Sequence, residues 1–153
     1  MADLKKVTTE DVQKLREATS AGVMDCRKAL IEAEGDFERA KAIIGEKGLA
    51  KVEKRAGRET GAGLVESYVH NERIGVLLDV RAETDFVVRS EPFRALAHDL
   101  AMHIAAAAPE TVEELLAQPY VKDESKTVKD VIGEVIAKVG ENVSVSKFFR
   151  LEV

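Results

Sequence analysis

The chain has 153 residues, 45% apolar and 33% charged, which suits one ordinary domain, or a small and a modest one, with a core and a well-solvated surface. Its formal net charge of -5 is a poor match for a phosphate backbone, which needs dense Lys and Arg, so direct nucleic-acid binding is set aside as the main role. One cysteine, Cys26, allows no internal disulfide, no apolar run approaches the roughly 20 residues of a membrane span, and MADLKKVTTEDV has neither a signal-type nor a transit-type composition. These features predict a cytoplasmic protein with no membrane association.

Residues 1–50 predict three short helices packed as a bundle. Thr8 caps the first, with Asp11 three residues on, and Val12 and Leu15 form its stripe. The turn Thr19–Gly22 ends it. Val23, Cys26, Leu30 and Ala33 recur at helical spacing in the second. Gly35 breaks that helix and Asp36 caps the third, whose stripe is Phe37, Ala40, Ile43 and Ile44, with Gly48 as its stop signal. Residues 51–62, KVEKRAGRETGA, read as a basic linker, mobile or a frayed helical extension.

The period then changes to two. Val65, Ser67 and Val69 alternate with Glu66, Tyr68 and His70, residues 71–73 form a hairpin turn, and Ile74, Val76, Leu78, Val80 and Ala82 share one face of the next strand. A helix capped by Ser90 buries Phe93, Leu96, Ala97, Leu100, Ala101 and Ile104; a short one starts at Thr111 and ends near Pro119. A third, over 128–139, is capped by Thr127 and Asp130 and closed by Gly140. Residues 143–153 read as a last strand. The fold class is α+β: a three-helix bundle over 1–50, the linker 51–62, and over 63–153 a small antiparallel sheet packed with helices.

Convergent catalytic groups are missing from the pattern. His98 and His103 stand five apart, a spacing that puts them on different sides of a helix, and Cys26 lies on an apolar stripe with no neighbouring His. The glycines at 61 and 63 lack the Lys-Ser/Thr of a phosphate loop. Two segments draw attention. Glu83–Phe93 joins strand to helix, and Phe86 there reads either as a core residue or as an apolar wedge beside Asp85. Ala21–Asp25 opens the second helix, where Val23 belongs to the buried stripe and Met24 is either semi-buried or turned outward.

These segments resemble bacterial elongation factor Ts, in a short form with one core subdomain. LREATSAGVMDCRKAL (15–30), GDFERAKAIIGEKGLAK (35–51), TDFV (84–87), AMHIAAAAP (101–109), QPYVKDESKTV (118–128) and GENVSV occur in family order along nearly the whole chain. The resemblance implies a ubiquitin-associated (UBA) type N-terminal domain and a core domain that dimerises. It implies a non-enzymatic guanine-nucleotide exchange factor whose partner is the GTPase elongation factor Tu, with no cofactor of its own. Thr84, Asp85, Phe86 and Val87 would act at the Mg²⁺ and phosphate site of that GTPase. Arg16, Val23 and Met24 would touch its nucleotide domain, Val23 standing where a second Met often occurs. Longer members carry a second core subdomain and a coiled-coil insertion, so the resemblance implies a homodimer here, non-covalent because the one cysteine lies in the second helix. The rival readings are a UBA-like interaction adaptor without exchange activity and a small hydrolase or transferase.

Overall fold

The computed structural model describes residues 7–153. The chain divides into two compact units, Met1–Lys54 and Arg55–Val153.

The first unit is built from α1 (Thr9–Thr19), α2 (Val23–Glu32) and α3 (Phe37–Arg55). Thr8 opens α1 with a reciprocal cap: its hydroxyl accepts from the Asp11 N–H at 3.2 Å, and the Asp11 carboxylate accepts from the Thr8 N–H at 3.1 Å. Asp36 caps α3 by accepting from the Arg39 N–H at 3.0 Å. Val12, Leu15, Cys26, Ala29, Leu30, Ala33 and Ala40 form one buried cluster, with Phe37, Ile43 and Ile44 against its margin. Three alanines in that cluster let short helices approach closely enough to share a core.

Val23 is not part of the buried stripe: it is the first residue of α2, where the helix has passed the rim of the cluster, and it is 48% exposed. Gly48 does not stop α3, which runs on to Arg55. A glycine inside a helix costs about 1 kcal/mol relative to Ala; it ends a helix only where the chain needs a left-handed residue, and the following LAKVEKR consists of ordinary helix formers.

The second unit carries a three-stranded antiparallel sheet, β1 (Ala62–His70), β2 (Ile74–Ala82) and β5 (Val143–Glu152), with β2 in the centre. Asn71 and Glu72 take positive φ in the hairpin turn between β1 and β2. Directly opposed residues share a face, so the register Leu64↔Val80, Glu66↔Leu78 and Tyr68↔Val76 puts the even-numbered side of β1 on the helix side. Val65 and Val69 therefore lie on the other side, exposed. Gly63 is required by close packing, because a Cβ there would stand 2.7 Å from the Val80 carbonyl oxygen. A register shift opposite Asp79 and Val80 changes which side β5 turns inward, from Val143 and Val145 to Phe148 and Arg150. The Arg150 guanidinium, on that inner side, donates from Nη2 to the Ala105 carbonyl at 3.0 Å.

Helix α4 (Asp85–Val88) is a single turn and α5 (Glu91–Ala107) the long helix lying on the sheet. Phe93, Leu96, Ala97, Leu100, Ala101 and Ile104 of α5 are all buried. Ser90 occupies its cap position, but its hydroxyl donates to the Val87 carbonyl at 2.6 Å instead of accepting from the helix. α6 (Val112–Ala117), a small ribbon of β3 (Pro119–Tyr120) and β4 (Asp123–Thr127), and α7 (Val128–Val139) complete the unit. The ribbon has no periodic signal because its strands are two and five residues long.

His103 is fully buried and satisfied at both ring nitrogens. Nδ1 accepts from the Val121 N–H at 3.2 Å, which leaves Nε2 to donate to Gln118 Oε1 at 2.9 Å. Tyr120 stacks on it, and burial, together with Asp99, pushes the Tyr120 hydroxyl pKa up to about 12. His103 and Tyr120 pack together in the core of this unit.

Thr127 and Asp130 repeat the reciprocal cap on α7. The hydrogen bonds from the Thr127 backbone and side chain hold the Asp130 carboxyl below its ordinary value of 3.8. Its stabilising contribution is thus complete above that value and is lost as pH falls through the lowered one. Thr127→Ala should lower the unfolding free energy by about 1 kcal/mol at neutral pH. The deficit relative to the parent chain should shrink in urea melts as the pH is lowered through the acid range and the cap carboxylate takes up its proton.

Candidate functional site

The corner between β2 and α5 departs from the core in a definite way. Ala82 is the last buried residue of the strand, and Thr84 turns extended (φ -131, ψ 154) and caps α4, its hydroxyl oxygen facing the Val87 N–H at 3.4 Å. One helical turn spaces side chains by about 100°, so four residues cannot all face one way. Val87 and Val88 turn inward and are 5% and 6% exposed, whereas the Phe86 ring is 85% exposed, with Asp85 beside it on the outer side. Among the described residues, none makes a hydrogen bond, an ion pair or a ring contact with the Asp85 carboxylate or the Phe86 ring.

Expectation and geometry diverge at Val87. The resemblance groups Val87 with the contact residues, but its side chain is buried in the core at 5% exposure and anchors the turn. Phe86, for which a core position was the ordinary reading, is instead the most exposed large hydrophobic side chain among the described residues.

The corner is tied down by residues that periodicity did not single out. The Thr84 N–H donates to Glu141 Oε1 at 2.9 Å and the Thr84 hydroxyl to Glu141 Oε2 at 2.8 Å. The next residue, Asn142, donates its N–H to Glu83 Oε1 at 2.8 Å and its side-chain amide to the Arg58 carbonyl at 2.9 Å. Arg58 Nη1 stands 3.6 Å from the same Glu83 oxygen. Three chain segments, at 58, 83–84 and 141–142, are thereby joined.

Arg16, Val23 and Met24 belong to the first unit and are exposed, Met24 at 58%. Ile31 and Leu49 of the same unit are also large, apolar and exposed; the helical stripes gave no reason to expect them at the surface. Asp25, next to Met24, pairs with Lys51 at 2.9 Å, an exposed contact of small energetic weight. In the second unit the outer sheet face carries Val65, Val69, Leu77, Phe149 and Leu151, all exposed.

Among the described residues no three His, Cys, Asp or Glu side chains converge to hold a metal ion, and no described helix is long and apolar enough to cross a membrane.

A family model described as "Elongation factor TS" matches residues 83–153, a stretch that begins at this corner. The chain is 41% identical to the elongation factor Ts of Desulforamulus reducens, over 98% of its own length and 90% of that protein's. It is 41% identical to that of Fervidobacterium nodosum (97% and 98% covered) and 42% identical to that of Thermotoga neapolitana (97% and 98% covered). These alignments run to 192–196 positions, more than the 153 residues present, so the relatives carry positions with no counterpart in this chain.

The two neighbouring positions of α4 should respond oppositely to truncation. Phe86→Ala removes a ring that touches almost nothing, and its melting temperature should stay within about 2 °C of the parent's. Val87→Ala opens a cavity and should destabilise by about 1–3 kcal/mol. Thermal melts of both variants measure the contrast.

Proposed function

The chain belongs to the elongation factor Ts family, and we propose that it is the guanine-nucleotide exchange factor for elongation factor Tu, promoting GDP release during translation elongation by disturbing the partner's Mg²⁺ and phosphate site. The observation that carries the mechanism is the 85% exposed Phe86 ring beside Asp85, on a turn whose other two residues are buried.

A GTPase holds its nucleotide through Mg²⁺ and a cradle of backbone N–H groups, and release is slow because these contacts must break together. A factor accelerates release only by binding the opened form better than the loaded one. The coupling is reciprocal, so nucleotide weakens the factor by as much as the factor weakens nucleotide. Moving the Phe86 ring from water into an apolar pocket of the opened GTPase contributes about 2–3 kcal/mol, a factor of roughly 30 to 150 in affinity. Asp85, carried in alongside, sets a carboxylate against the phosphates and disfavours them by like-charge repulsion. Thr84 holds the turn. Val87 serves from inside the core. No covalent bond is made or broken by the chain.

The first unit acts as the anchor. Its three helices around one small core support a UBA-like domain, and Arg16, Val23 and Met24 supply its contact with the GTPase, Met24 as an adaptable thioether. The protein works in the cytoplasm, with no direct contact to nucleic acid or membrane.

The outer face of the sheet supports a non-covalent homodimer. Val65, Val69, Leu77, Phe149 and Leu151 make an apolar face too large to be scattered surface residues, and a second copy offers the same face under a two-fold axis. Cys26, fully buried, takes no part.

Release of a fluorescent GDP analogue from elongation factor Tu tests the exchange reading. Phe86→Ala should slow stimulated release by at least about tenfold without loss of fold, and Asp85→Asn by less; wild-type rates in Phe86→Ala would refute the wedge. A pure adaptor would bind the GTPase and leave its release rate untouched. Leu77→Lys, on the central strand, should convert the chain to monomer in sedimentation equilibrium, and a parent chain that is already monomeric would end the dimer reading.

A further inference from the structure

We infer that Glu141 is a positioning residue for exchange: by gripping Thr84 with both carboxylate oxygens it fixes the cap of α4, and so the place from which Phe86 and Asp85 are presented. The inference rests on the reading of that corner as the acting element.

The grip is specific in three respects. First, it is bidentate toward one residue, with the Thr84 N–H 2.9 Å from Oε1 and the Thr84 Oγ 2.8 Å from Oε2. Hydrogen bonds to an ionised acceptor are among the stronger ones. Second, it sets the direction of the Thr84 proton. A carboxylate can only accept, so the hydroxyl must donate to Glu141, which leaves its oxygen lone pairs for the Val87 N–H at 3.4 Å. The cap of α4 is therefore oriented from 57 residues downstream. Third, the backbone that carries Glu141 is itself fixed. α7 ends at Gly140 in the left-handed region (φ 78), whose N–H donates to the Ile136 carbonyl at 3.0 Å. On the other side Asn142 binds Glu83 and Arg58.

Glu141 bonds to Thr84 and to neither Asp85 nor Phe86. Its effect on exchange passes through Thr84. With the grip removed, the turn still has Val87 and Val88 in the core, so the unit folds, but the outer pair samples several orientations. Binding energy then goes into restoring one of them at the moment the GTPase opens.

The test is a double-mutant cycle in stimulated release of fluorescent GDP from elongation factor Tu, with the full-length chain titrated to saturation so that maximal rate and half-saturating concentration are read separately. Glu141→Ala should lower the maximal rate about three- to tenfold, the range expected for losing a hydrogen-bonded contact, with half-saturation within about twofold of the parent's. In the Phe86→Ala background its effect should be clearly smaller, since residues acting through one element do not add and only the Asp85 part of the presentation is left to lose. Glu141→Gln, which keeps the shape but only one acceptor, should fall between. Hydrogen exchange at the Thr84 and Val87 amides of the free chain should quicken in Glu141→Ala while the amides of β2 and α5 stay protected.

A normal maximal rate in Glu141→Ala, with Phe86→Ala slow, overturns the positioning role and leaves the exchange mechanism standing. Equal slowing in both backgrounds, or a rise in half-saturation alone, also overturns it, because Glu141 would then act elsewhere or on binding only. If Phe86→Ala itself releases GDP at the parent rate, the corner is not the acting element and both readings fall.

Discussion

An aromatic ring in water stays there only if the backbone beneath it has nowhere else to go. The α4 turn meets this condition. Val87 and Val88 are driven into the core by their own burial, each at about 1.5–3 kcal/mol for a side chain of this size. Rotating the turn to hide Phe86 would bring these two valines out. The opposed preferences within one helical turn therefore hold the ring exposed, and the rest of the unit is arranged so that this balance holds. The sheet delivers the chain to the corner at Ala82, α5 takes it away after Ser90, and Glu141 and Asn142, just past α7, brace it through hydrogen bonds.

The same logic explains why so small a chain presents so much apolar surface. Unit by unit, the helices and strands are two-faced: α1 to α3 around one cluster, the sheet with α5 on one side. Most of what remains outside falls into three groups, at the start of α2, at the corner and on the outer sheet face, with Ile31, Leu49, Val121 and Val153 apart from them. Each group is the kind of exposed apolar surface that association covers, and the proposed function assigns them the parts of anchor, wedge and self-association face.

The residues made most of this legible, and the exceptions share a physical cause. Caps at Thr8 and Thr127, the α5 stripe and the inner face of β2 follow from local periodicity and local hydrogen bonding, which a sequence carries openly. Val23 and Gly48 misled because a helical stripe says nothing of where the core ends, and glycine is a permissive signal, not a command. The orientation of β1 was open because Val65 and Val69 look like the buried set; register with β2 decides it. At the corner, TDFV marked the place but not the division between Asp85 and Phe86 outside and Val87 inside. Glu141 lies 57 residues from Thr84, a pairing that no periodicity reaches and only the folded chain displays. The β3–β4 ribbon was missed for a simpler reason, its shortness.

In the proposed mechanism Phe86 leaves water when the GTPase opens. The direct measurement is hydrogen–deuterium exchange together with a fluorine label on the Phe86 ring, in the free chain and in its complex with nucleotide-free elongation factor Tu. The account predicts a fluorine shift to an apolar environment and strong added protection at residues 84–88 in the complex, both reversed by saturating GDP with Mg²⁺. An unchanged, solvent-exposed ring in a fully formed complex would contradict it.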